Sequence, residues 1–184
     1  MNANIQLRMM VHASLLAALT AAGAYLAIPI GPVPIVLQNL FVFLAGLLLG
    51  SRWGSASVAV YLLAGAVGLP VFAGGLGGIG RLAGPTGGYL VGFLPAVLVI
   101  GWITEKAKEG FVIDVIAMSC GAIIIYVFGA AWLKIVTGMT LAKTLAVGVY
   151  PFLFGDAVKI AAAVPIAKAL RPVIRVPRPK YEHH

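Results

Sequence analysis

Asp156 and Lys159 are the only formal charges between Lys143 and Lys168, and they stand in the apolar run PFLFGDAVKIAAAVPIAKAL at residues 151–170. A spacing of three residues puts both on one face of a helix. An ionisable group at membrane depth is costly unless paired, and such groups mark ligand or ion pathways. A plain structural salt bridge is the competing reading. Around this pair the chain offers a second cation, Arg81, a phenol, Tyr89, and the neutral polar pair Gln38 and Asn39. One acceptor charge, two cationic donors and several neutral groups around an apolar space suit a small molecule. It would carry hydrogen-bond donors at one end, an aliphatic middle and a carboxylate at the other.

Other chemistries find little support. No nucleophile, base and orienting residue occur together in a recognisable pattern, so no enzyme is expected. The single cysteine, Cys120, lies in an apolar run, and neither a metal site nor a cofactor is expected. The run GGLGGIG lacks the Gly-Lys-Ser or Gly-Lys-Thr ending of a phosphate loop. A proton relay is weakened because the one other acid in the apolar helices, Asp114, sits at a helix start.

The elements that position these groups must lie in lipid. Of 184 residues, 61% are hydrophobic and 10% charged, whereas soluble domains carry about 25% charged residues. The mean hydropathy is +1.05. The expected architecture is a single all-α membrane domain over residues 1–184, with six crossing helices. The expected helices run from Met9 to Ile28, Ile35 to Gly50, Trp53 to Leu69, Tyr89 to Thr104, Phe111 to Lys134, and from Pro151 onward. Residues 137–149 belong either to the last helix or to a short interfacial helix before it, and the second arrangement is preferred. The first apolar stretch is read as a membrane helix rather than a cleaved signal. His183 and His184 resemble the start of a purification tag and are left aside.

Net charge is +8, but its placement speaks against nucleic acid. Lys168, Arg171, Arg175, Arg178 and Lys180 cluster at the carboxyl end, a basic tail over about 171–182. With both termini cytoplasmic, inner ends collect nine basic residues and outer loops only Arg81, Lys134 and Lys143. Trp53, Trp102 and Trp132 fall near helix ends, as an aromatic belt would have them. Between the third and fourth helices, residues 65–92 hold 11 of the 23 glycines. Such backbone must be buried in protein or line a cavity, so it is expected to form an outer cap or pocket wall with apolar residues such as Phe72. Ala13, Ala17 and Ala21 recur every four residues, a stripe that lets another helix approach. Its neighbour is either inside the chain or a separate subunit.

Taken together, Leu37–Gln38 after the proline-rich loop, LAGLLLG at 44–50, GAVGLPVFAGG at 65–75, GPTGGYLVGF at 84–93, and Asp156 with Lys159 resemble the BioY proteins. These are the biotin-specific substrate-binding subunits, or S components, of energy-coupling factor (ECF) transporters, and the resemblance spans essentially the whole chain. It implies a multi-pass protein of a prokaryotic cell membrane that captures biotin with high affinity from outside. Its implied partners are a transmembrane coupling protein, the T component, and two cytoplasmic ATPases that drive import. In this reading Asp156 meets the two N–H donors of the ureido ring, and Lys159 meets either the carboxylate or the ring carbonyl. Tyr89 and Phe72 belong to the pocket, Gln38 and Asn39 flank it, and Arg81 is named from its chemistry. The segment Pro29, Gly31, Pro32, Val33 and Pro34 resembles a gating loop, and Ala13, Ala17 and Ala21 a docking surface for the coupling protein. The sequence departs from the family pattern at Val36 and Asn39, where threonine is common. The alternatives are a solitary facilitator or proton-coupled carrier, an S component for another carboxylate, and a structural membrane protein.

Overall fold

The computed structural model describes residues 3–29, 32–107 and 110–174. Its elements, in order, are α1 (Ala3–Tyr25), β1 (Ala27–Ile28), β2 (Ile35–Val36), α2 (Gln38–Ala66), α3 (Ile79–Ala83), α4 (Gly87–Lys106), α5 (Phe111–Thr137), α6 (Leu141–Gly148) and α7 (Tyr150–Ile174). Among the described residues, five stretches are helical, long and apolar enough to cross a membrane. Leu7, Val60, Ile123, Val127 and Phe154 are exposed around the outside, while Phe43, Leu47, Ile100, Met118 and Leu133 fill the interior. Apolar side chains on both the inside and the outside are what a bundle in lipid requires.

The element α2 is two antiparallel arms rather than one rod. Gln38 Nε2 donates to the Tyr61 hydroxyl at 3.3 Å, although 23 residues of straight helix would separate them by roughly 35 Å. The reversal occurs at Gly50, whose φ of 76° and ψ of −172° are open essentially to glycine alone. Glu105, from the end of α4, fastens the turn. Its Oε1 accepts from the Ser51 amide at 2.7 Å and its Oε2 from the Ser51 hydroxyl at 2.8 Å. These bonds satisfy groups that a helix start leaves free. The second and third expected helices therefore correspond to the two arms.

Two features refine the expectation. The chain after α1 is extended and pairs as a small antiparallel hairpin, Ala27 opposite Val36 and Ile28 opposite Ile35. Prolines 29, 32 and 34 exclude helix here and favour extended backbone in the residues before them. The second concerns the alanine stripe. Ala13 and Ala17 are buried and Ala21 is half-buried. The Ser57 hydroxyl of α2 donates to the Ala13 carbonyl at 2.7 Å. Within the chain these small side chains let α1 and α2 approach, covering Ala13 and Ala17 and leaving Ala21 partly open.

The short helix expected within 137–149 is α6, capped by Thr140, whose side chain accepts from the Lys143 amide at 3.4 Å. Pro151 stands at the second position of α7, where its missing N–H costs nothing. At the far end of α7, Arg171 pairs with Asp114 of α5 at 2.5 Å. Both are buried. Arg8 of α1 reaches the Val173 carbonyl at 3.0 Å. One end of the bundle thus gathers Arg8, the Gly50 turn with Glu105, and the Asp114–Arg171 pair.

Two outcomes follow for stability in detergent. Gly50→Ala should lose about 2 kcal/mol from backbone strain, seen as a lower thermal midpoint; an unchanged midpoint would contradict the reversal described above. Arg171→Met alone leaves Asp114 unpaired and should cost about 3–5 kcal/mol, with most of it recovered in Asp114→Asn/Arg171→Met. Equal midpoints for the single and double variants would remove the pair from the stability account.

Candidate functional site

A cavity of about 420 Å³ opens at the end opposite the Asp114–Arg171 pair. That size lies within the roughly 300–1,000 Å³ of small-molecule sites. The hairpin provides one rim through Pro29, Pro32, Val33 and Pro34, and Ala73, Gly74, Leu76 and Arg81 of the glycine-rich segment provide the other. Gly31 lies outside the described residues. The walls are aromatic: Phe72, Tyr89, Phe93, Tyr126 and Phe152 all line the space. Phe72 meets Tyr61 edge to face at 5.6 Å between ring centroids, and Tyr89 and Phe152 lie 6.4 Å apart.

The charged pair sits at the junction of three helices. Lys159 Nζ donates to Asp156 Oδ1 at 2.6 Å, the Tyr126 hydroxyl donates to Oδ2 at 2.6 Å, and Asn39 Nδ2 reaches Oδ2 at 3.4 Å. Asp156 is 2% exposed and does not reach the cavity wall, whereas Lys159, Tyr126 and Asn39 do. In this structure the bonds of Asp156 run to protein donors, and those donors form the cavity surface. Asn39 gives its amide nitrogen to Asp156, so its amide oxygen stays free to accept. Lys159 makes one of the three bonds an ammonium can make.

The remaining expected residues divide. Gln38 lines the cavity while its Nε2 is held by Tyr61. Tyr89 contributes its ring, but its hydroxyl donates to the Gly148 carbonyl at 2.7 Å and anchors the end of α6. Gly129 makes this possible, since a Cβ there would collide with the Tyr89 ring. Arg81 lines the cavity half-buried, and among the described residues no carboxylate pairs with it. Phe72 is buried at 2% exposure and forms wall rather than rim. Sequence reasoning missed Tyr126, Phe93, Phe152 and Thr86. For Tyr126 a signal existed: a phenol inside an apolar helix must find a partner for its hydroxyl. The phenylalanines carry no such mark.

The site therefore presents a lone guanidinium on the rim. The same aromatic-walled space is lined by Lys159 of a neutralised ion pair and by Asn39, which offer donors and one acceptor. Among the described residues no cluster of metal-ligating side chains occurs.

Comparison with known proteins agrees over nearly the full length. The chain is 42% identical over 165 residues to the biotin transporter BioY of Thermotoga maritima, covering 90% of this chain and 96% of that protein. It is 42% identical over 158 residues to the probable biotin transporter BioY of Pyrococcus horikoshii, covering 86% and 93%. The crystal structure of the S component for biotin from an ECF-type ABC transporter superposes with a TM-score of 0.88 at 32% identity, covering 94% of this chain and 95% of that one. A family model described as the BioY family matches residues 1–176, and the chain belongs to that family.

Proposed function

We propose that this chain is the biotin-binding S component of an ECF-type transporter and that it holds biotin in the cavity between the hairpin and α7. The observation that carries this reading is the division of charge along the cavity, with Arg81 unpaired at the rim and Lys159 neutralised by Asp156 deeper in. Biotin has the complementary form: a carboxylate at the end of an aliphatic chain and a neutral ureido ring with two N–H donors and a carbonyl. The carboxylate pairs with the Arg81 guanidinium, which can grip both oxygens. The ureido carbonyl accepts from Lys159, and a ureido N–H donates to the free amide oxygen of Asn39. The thioether ring packs among Phe72, Phe93 and Phe152, where sulfur against aromatic faces is favourable.

The charge distribution supports an orientation. Arg8, Arg52, Lys106 and Arg171 belong to the end away from the cavity. Basic residues favour the cytoplasmic side, so the termini are cytoplasmic, the two arms of α2 make six crossings in all, and the cavity opens outward. The hairpin with Pro29, Pro32, Val33 and Pro34 is the element that closes over the ligand. Import then requires ATP hydrolysis by partners, a coupling T component and two ATPases, in the cell membrane of a prokaryote. Neither catalysis nor a cofactor is assigned to this chain.

Calorimetric titration of protein purified without biotin tests the reading. The parent should bind biotin tightly, and Arg81→Gln should weaken it by about 10- to 100-fold, the worth of a charged hydrogen bond. The uncharged carboxamide of biotin should be nearly indifferent to Arg81→Gln. Lys159→Met should weaken both ligands alike. A folded, ligand-free parent that does not bind biotin would sink the assignment, and equal losses for the two ligands in Arg81→Gln would move the carboxylate elsewhere.

A further inference from the structure

The element carrying Arg81 packs lightly: none of the five residues of α3, Ile79–Ala83, is fully buried, and Leu82 rests half-buried against the core. A one-turn helix with so little burial does not fix a side chain by itself. Beyond that contact, its position is set by its two ends. At the start, the Gly78 amide donates to the Gly65 carbonyl at 2.7 Å, joining α3 to the end of α2. At the finish, the Gly84 amide closes onto the Arg81 carbonyl at 3.3 Å. The Gly84 carbonyl in turn accepts from the Gly87 amide and from the indole N–H of Trp132, each at 3.0 Å. Among these tethers the indole alone is a side chain, and it comes from α5, a helix of the rigid bundle.

The seat for Trp132 is built into the neighbouring turn. Gly88 opens α4 against α5, and a Cβ added there would strike the Trp132 Cβ and lie 2.5 Å from the Phe128 carbonyl. A glycine at this position lets the indole reach Gly84. Trp132 is 37% exposed, so its ring also faces the surroundings, as a membrane-belt residue does. A belt role alone does not direct the N–H at one carbonyl of the cavity rim.

We propose that Trp132 is a positioning residue for ligand recognition: by fixing the Gly84 carbonyl it sets the carboxyl end of α3 and so presents Arg81 to the ligand's carboxylate. This rests on the reading of Arg81 given above. Loss of the N–H lets α3 sample other positions, and the anionic ligand loses more than its uncharged analogue does. A residue that only anchored the bundle in lipid, or only stabilised the fold, would not distinguish the two ligands.

The test compares biotin with its carboxamide in the parent, Trp132→Phe, Arg81→Gln and the double variant. Trp132→Phe should reduce the preference for the carboxylate by about 2- to 10-fold, the worth of one hydrogen bond, and should add nothing in the Arg81→Gln background. Equal weakening of both ligands, an unchanged preference, or full additivity in the double variant overturns the proposal. If Arg81→Gln itself leaves the preference unchanged, the carboxylate assignment fails and a second measurement decides Trp132. A spin label at Ile79→Cys, in a Cys120→Ala background, should gain mobility in Trp132→Phe, and an unaltered spectrum overturns the tether.

Discussion

A carboxylate buried among apolar helices must be answered by donors, and the arrangement around Asp156 follows from that requirement. Its donors come from α2, α5 and α7: Asn39, Tyr126 and Lys159. Stripping solvent from an ion costs several kcal/mol even after relaxation, so the three helices are driven to converge where the donors can reach it. The cavity is the space that these same donors border. The constraint that locks the helices together therefore also defines the polar end of the site.

The opposite end of α7 obeys the same rule with a different partner. Asp156, Lys159, Ala163, Ala167, Arg171 and Ile174 are all buried on α7, and their spacing describes one helical stripe. That stripe meets α5 through Tyr126 near one end and Asp114 near the other. Two polar clamps on one seam hold α7 along its length, where apolar contact alone gives little specificity in lipid. The cap over the cavity is built differently. The hairpin and residues 67–86 are each held mainly by backbone bonds of their own, with Gly68, Gly74, Gly75 and Gly78 at positive φ. The Tyr25 hydroxyl, at the end of α1 just before the hairpin, donates to the Pro70 carbonyl and ties the second part to the bundle. Segments with few buried contacts open at lower free energy than packed helices, so the fold separates a stiff floor from an adjustable roof.

This division explains what the sequence made legible. Helical arms announce themselves through long apolar runs ended by prolines and glycines, and the charges of Asp156 and Lys159 stand out because nothing around them is charged. The reversal at Gly50 was readable as a break between two apolar runs. Depth was not readable. Asp156 and Lys159 share a face by spacing, and only the approach of α5 decides that the carboxylate lies behind the wall and the ammonium in it. Tyr89 was recognised through its motif, yet its hydroxyl serves α6, a contact 59 residues away in the chain. Asp114 and Arg171 lie 57 residues apart, and each reads locally as an ordinary charge near a helix end. The alanine stripe on α1 shows the same limit, because spacing reveals that a neighbour approaches and not which neighbour it is.

Charge balance joins the floor to the roof. Among the described residues the charged side chains bordering the cavity are Lys159 and Arg81, and Asp156 is paired with Lys159. Two positive charges and one negative leave the site with a net charge of +1, carried on the rim by Arg81. In a medium of low dielectric the balance of whole charges outweighs any single neutral hydrogen bond, because an uncompensated ion forfeits its hydration. A ligand with one carboxylate brings the occupied site to zero. A site with Lys159 but no Asp156 would hold two uncompensated cations and favour a dianion instead. On this argument Asp156 offsets the charge of Lys159, and the remaining positive charge of the cavity lining lies at Arg81.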